Sequence, residues 1–172
     1  MARLSYVEKE GAAPEQGKIL GELTQKSGKI ANIWKLWAHS PSTLETFMSF
    51  YKSVMKGSLD AKLRELAYTK ASLVNDCAYC ANAHKTAGIR AGVTEQQLQE
   101  LGTYASSSAF SPVEKLVLRY AEELTRTANT SEDLIQELKT HLSEAQIVEL
   151  NLTVGLANLT NRFNNSLRTD LD

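Results

Sequence analysis

The chain predicts an all-α fold: a single compact helical bundle of about seven to eight helices over residues 1–172. Three observations carry this prediction. Chain breakers are sparse, with three prolines and nine glycines in 172 residues. No stretch alternates apolar and polar residues as a half-buried strand does. Apolar residues instead recur at helical spacing, behind recognisable capping signatures. No internal repeat or linker divides the chain, so one domain is expected.

The elements follow in order. Met1 to Ala13 carries no decisive pattern, and Gly17 to Ile30 reads as helix. Ser40-Pro41 opens the next, with Leu44, Phe47, Met48 and Tyr51 on one side. Leu59, Leu63, Leu66, Leu73 and Val74 form the stripe of another. A break is expected at Asn75-Asp76, with Asp76 as the N-cap of a helix that begins at Cys77. Thr94-Glu95-Gln96-Gln97 opens a short helix that Gly102 can close. Ser111-Pro112-Val113-Glu114 is a complete capping box, followed by Leu116, Val117, Tyr120 and Leu124. His141 reads as a C-terminal helix residue after Leu138. Ser143 to Gln146 opens the last long helix, which runs through Leu150, Val154 and Leu159 towards Phe163.

Composition narrows the function. Hydrophobic residues are 42%, charged residues 23% and the formal net charge is −1, which is ordinary globular usage without the basic excess of a nucleic-acid binder. No apolar run reaches membrane-spanning length. Met1 to Tyr6 lacks the apolar core of a secretory signal, so a cytoplasmic location is expected. In that compartment a CxxC is seldom a structural disulfide.

Both cysteines of the chain form one such motif, Cys77-Ala78-Tyr79-Cys80, with His84 four residues after Cys80. At about 100° per residue, Cys80 lies roughly 60° from Cys77 and His84 falls between them, so the three share one face. Ala81, Ala87, Gly88 and Ala91 are small neighbours that would let another helix approach. A helix start lowers thiol pKa.

Three readings stay open. In the redox reading, Cys80 attacks, Cys77 resolves and His84 handles the proton; cysteines at i and i+3 of a helix can reach disulfide distance. In the zinc reading, Cys77, Cys80 and His84 are ligands, completed by Glu65, His39 or His141. In the third, the cysteines are small buried apolar groups and His84 a core histidine. Haem attachment in its usual form is excluded, because residue 81 is alanine.

The stretch Leu63-Arg64-Glu65-Leu66 … Asn75-Asp76-Cys77-Ala78-Tyr79-Cys80-Ala81-Asn82-Ala83-His84 resembles the alkylhydroperoxidase-D-like (AhpD-like) branch of the carboxymuconolactone decarboxylase family. The family pattern is a glutamate twelve residues before a CxxC and a histidine four after it, and Glu65 and His84 match both spacings. Ala38-His39-Ser40-Pro41 and Asn158 to Asn164 are similar to further family segments, so the resemblance is strongest over 30–166.

The resemblance implies an all-helical homo-oligomer, often a trimer or hexamer, that reduces hydroperoxides with Cys80 as nucleophile and Cys77 as resolving thiol. It implies that Glu65 and His84 relay the proton and that a dithiol or lipoyl-bearing protein returns the electrons, with no cofactor and no metal. One position departs from the pattern. Tyr79 stands where better-known peroxidase members carry a second histidine, and a phenol of reference pKa about 10 is a poor base at neutral pH. The alternatives are a non-catalytic metal-binding or structural oligomer using Cys77, Cys80 and His84, or decarboxylase-like action on a small organic acid. An evident basic cluster to hold dicarboxylates is lacking.

Periodicity alone places Glu65 on the solvent side, about 120° from the apolar centre of its stripe and beside Thr69 and Ser72. In one unbroken helix it would lie about 22 Å from Cys80, so a relay requires two packed helices. Trp34 and Trp37 read as core or oligomer contacts, or as a lid over the thiols. Arg162, among Asn161, Asn164 and Asn165, reads as a polar clamp at a subunit interface or as solvated.

Overall fold

The structure, a computed structural model, describes the backbone of residues 1–172 and every side chain but those of Lys26 and Ser27. Among the described residues there is no strand, and nine helices run α1 Pro14–Ser27, α2 Asn32–Trp37, α3 Pro41–Met55, α4 Ala61–Val74, α5 Ala78–Arg90, α6 Glu95–Glu100, α7 Pro112–Thr127, α8 Glu132–Lys139 and α9 Glu144–Leu167. The extra helix relative to expectation is α2. Its six residues are too few to show a period, and its N-cap Ala31 offers no side-chain acceptor. None of the described helices is long and apolar enough to cross a membrane.

The predicted caps at Ser111, Thr94 and Ser143 form as hydrogen-bonded pairs. Ser111 Oγ accepts from the Glu114 amide, and Glu114 Oε2 accepts from the Ser111 amide at 2.7 Å. Thr94 and Gln97 exchange the same two bonds, at 3.1 Å each. Ser143 and Gln146 do so at the start of α9. Each cap satisfies amides that a helix start otherwise leaves unpaired, worth about 1 kcal/mol.

The chain groups into two compact units. One comprises Met1–Ser53 with Phe163–Asp172. Its core is Val7, Ile19, Leu20, Leu23, Ala38 and Leu44. Here Trp37 stacks between Phe47 and Phe163, with ring centroids 4.3 and 4.7 Å away, so the tryptophans belong to an aromatic core. The termini are laced together, since the Arg3 amide donates to the Leu167 carbonyl at 2.8 Å and the Tyr6 hydroxyl to Asp170 at 3.0 Å.

The other unit is Val54–Arg162. Helix α4 is its axis and is buried on nearly every side, from Leu63 through Ser72. Leu66, Val93, Leu101, Phe110 and Leu118 pack into one cluster. Burying a helix this completely forces its polar residues into pairs. Lys70 Nζ meets Glu122 Oε2 at 2.9 Å and lies 4.7 Å above the Tyr104 ring. Burial pushes the Tyr104 phenol up to about 12. At the other end of α4, Lys62 Nζ meets Glu114 Oε1 at 2.6 Å.

Candidate active site

Helix α4 starts at Asp60, whose Oδ1 accepts from the Lys62 and Leu63 amides at 2.9 and 3.1 Å. It ends three residues before α5 begins. The Asp76 amide donates to the Leu73 carbonyl at 3.1 Å and the Cys77 amide to the Ser72 carbonyl at 2.9 Å. This is a Schellman ending, and it requires Asp76 to take a left-handed conformation, φ 51°. The expected break is therefore present, but the expected cap is not. Asp76 is spent on ending α4, and Cys77 is the N-cap of α5, with Sγ accepting from the Cys80 amide at 3.4 Å.

Cys77 and Cys80 form a disulfide, with Cα atoms 5.4 Å apart. They are 1% and 3% exposed. A pocket of about 240 Å³ opens on this turn, lined by Ser72, Leu73, Asp76, Cys77, Ala78 and Ala81. Cys80 and His84 sit one turn apart on α5, the spacing at which helix side chains are neighbours.

Glu65 is 5% exposed, and its Oε2 lies 2.7 Å from Nδ1 of His84. The solvent-side placement from periodicity is thus overturned. A stripe identifies the buried face only when the opposite face is wet, and α4 has no such face over this span. The carboxylate oxygen can only accept, so Nδ1 donates, and in the neutral imidazole Nε2 is then the acceptor nitrogen. Gly88 makes the approach possible. A Cβ there would meet Val93 Cγ2 at 3.3 Å and Glu65 Cβ at 3.7 Å.

Behind the site, α4 and α9 share a polar seam that sequence reasoning left unassembled. The Tyr68 hydroxyl lies 2.5 Å from Thr160 Oγ1. Asn161 Nδ2 donates to Ser72 Oγ at 3.1 Å, and Asn75 Nδ2 donates to Asn158 Oδ1 and Asn161 Oδ1, each at 2.9 Å. Tyr68, Ser72 and Asn75 follow at i, i+4 and i+7, one face of α4. Arg162 is exposed and donates to Asn158 Oδ1 at 2.6 Å. Tyr79 is buried on α5.

The other histidines stand elsewhere. His39 has Nε2 2.8 Å from the Ser5 carbonyl in the first unit, and His141 is exposed past the end of α8. Among the described residues, no group of three or more His, Cys, Asp or Glu side chains is arranged to hold a metal.

Residues 41–123 match the carboxymuconolactone decarboxylase family, and they carry all four of Glu65, Cys77, Cys80 and His84. The chain is similar to this family over that stretch and has an AhpD-like fold. The Bacillus subtilis (strain 168) protein YdfG is similar to this chain, 28% identical over 126 residues that make up 72% of this chain and 86% of YdfG. A solved alkylhydroperoxidase AhpD core, a peroxidase-related protein from Ralstonia eutropha JMP134, superposes with a TM-score of 0.85 at 20% identity, covering 99% of this chain and 92% of its own. The debrominase Bmp8, solved in complex with 2,3,4-tribromopyrrole, gives a TM-score of 0.81 at 16% identity and covers 100% and 94%. The family match and the CxxC disulfide fit an enzyme, and the debrominase shows that the AhpD-like fold carries more than one activity.

Proposed function

We propose that this protein is a thiol-dependent peroxidase that reduces hydroperoxides through a Cys77/Cys80 dithiol–disulfide cycle, with Glu65 and His84 as proton relay. The observation that carries this reading is the pairing of buried Glu65 with half-buried His84, which sits one helical turn beyond Cys80 of the disulfide. A buried carboxylate that orients an imidazole next to a redox-active cysteine fits proton transfer better than it fits packing.

The cycle runs as follows. His84 Nε2 takes the Cys80 proton, and the thiolate is helped by its place in the first turn of α5. The thiolate attacks the terminal peroxide oxygen, so that an S–O bond forms and the O–O bond breaks. The alcohol leaves with the proton held on His84. The sulfenic acid on Cys80 condenses with the Cys77 thiol, forming the S–S bond and releasing water. The net change is one hydroperoxide and two thiols to one alcohol, one water and a disulfide. A partner dithiol, of free or lipoyl-bearing type, then reduces the disulfide and becomes one itself. The reading places the protein in the cytoplasm as a homo-oligomer, a trimer or hexamer.

The test is dihydrolipoamide-dependent consumption of an alkyl hydroperoxide. Cys80→Ser is expected to abolish it, and Cys77→Ser to stop turnover while leaving a dimedone-trappable sulfenic acid on Cys80. Equal turnover by the wild type and both variants sinks the proposal.

The likeness to debrominase Bmp8 carries a second reading, reductive dehalogenation by the same dithiol. In that reaction a C–Br bond and two thiols become a C–H bond, bromide, a proton and the disulfide. Bromide release from 2,3,4-tribromopyrrole without peroxide consumption favours this reading over the first.

A further inference from the structure

Glu65 is not the only residue of α4 that holds His84. Tyr68, one turn further along, lays its ring on the imidazole with centroids 3.4 Å and planes 13° apart. Tyr68 is itself 2% exposed. Thr160 Oγ1 has carbonyl acceptors at Leu156 and Ala157, each at 3.1 Å, for its one hydroxyl proton. The phenol therefore donates to Thr160 and fixes the aromatic ring to α9.

A single hydrogen bond at Nδ1 leaves an imidazole free to swing about the donor–acceptor axis. A face-on neighbour removes that freedom, because any swing drives one ring edge into the other ring. Glu65 thus fixes where Nδ1 is, and Tyr68 fixes the plane in which Nε2 points.

We propose that Tyr68 is the positioning residue of His84, holding the imidazole plane so that Nε2 faces the Cys80 turn, with Thr160 as its anchor. This rests on the dithiol reading above only for its effect on rate. The geometric part can be read with no peroxide present.

The chain has three histidines, His39, His84 and His141, so histidine-labelled oxidised protein gives three imidazole signal sets. The stacked ring of His84 is expected to be shifted upfield of the other two by the Tyr68 ring current. Tyr68→Leu should move that signal back towards them, and Tyr68→Phe, which keeps the ring but loses its bond to Thr160, should move it only part of the way. Peroxide oxidation of Cys80 in the reduced protein should slow by about ten- to a hundredfold in Tyr68→Leu, since misplacing a catalytic group by about 1 Å can cost about 10²-fold. Tyr68→Phe should restore the rate in part, to about the level of Thr160→Val.

If Tyr68→Leu does not fold, Thr160→Val serves instead. It keeps the ring but frees its anchor, and it should reduce the upfield shift and slow oxidation. An upfield signal unmoved in the folded variant, or absent in the wild type, overturns the positioning role. Failure of the wild type to react with peroxide sinks the dithiol reading and leaves this spectroscopic result standing by itself.

Discussion

Nδ1 of His84 lies 2.7 Å from Oε2 of Glu65 across the α4–α5 contact, with Glu65 buried and His84 half-buried. Neither residue has a reason to be buried alone. Together they convert two costly groups into one satisfied pair.

The pair can be opened one group at a time. His84→Gln keeps a donor for Glu65 but cannot exchange a proton near neutrality. Single-turnover oxidation of Cys80 by peroxide should fall by about 10²- to 10⁴-fold, the usual share of general acid–base catalysis. An unchanged rate in a folded His84→Gln protein means that the relay is not used.

Glu65→Leu removes the acceptor and leaves Nδ1 without a partner. That should cost about 1–3 kcal/mol in denaturant unfolding. Glu65→Gln, which retains an acceptor oxygen, should cost less. If the two variants are equally stable, the hydrogen bond contributes nothing that the amide can replace.

Gly88 of α5 packs against Val93 and Glu65. Gly88→Val would set methyl groups against Val93 and Glu65, where a lone Cβ already sits at 3.3 and 3.7 Å. Overpacking of this kind costs about 1–3 kcal/mol. The midpoint of urea unfolding should drop, and the upfield His84 signal should shift with it.

Acid should weaken the second unit through Glu114. Burial pushes its carboxyl up, but the Lys62 ammonium, the Ser111 amide and Gln97 outweigh burial and hold it below its ordinary value of 4.5. A group depressed in the folded state contributes stability above its unfolded pKa and loses it as pH falls through the folded one. Unfolding free energy should therefore decline from just below pH 4.5 downward. Lys62→Met should flatten that decline. Parallel pH curves for Lys62→Met and the wild type would count against the pair as its source.

Asp76 bears the backbone strain of the joint, with φ 51°. A β-branched residue there, as in Asp76→Val, should destabilise by about 1–2 kcal/mol or more, while Asp76→Gly should be neutral or stabilising. Equal stability of the two would show that the turn relaxes to another conformation.

Much of this was legible in the chain. The all-α class followed from period and sparse breakers, and the boxes at Thr94, Ser111 and Ser143 were visible because their signal is local. Glu65 was legible only by resemblance, because a helix buried all round carries no wet face to set a phase. Asp76 was misplaced as a cap for a related reason. Where one helix ends three residues before the next begins, the same short stretch must serve both, and the aspartate is drawn into the ending. Tyr68 gave no signal of its own, since a tyrosine three residues from Glu65 gains meaning only when α5 is laid against α4. Thr160, Asn158 and Asn161 are paired with α4 by tertiary packing, which no local pattern encodes.

The joint at Asn75-Asp76-Cys77 acts as an indexing pin. One residue added there would turn α5 by about 100° about its own axis. Cys77 and Cys80 would stay paired with each other, while His84 would rotate off Glu65 and off the ring of Tyr68. Electron chemistry and proton chemistry are therefore separable in this architecture by the length of a single turn, and the twelve-residue interval from Glu65 to Cys77 is the setting at which the two engage.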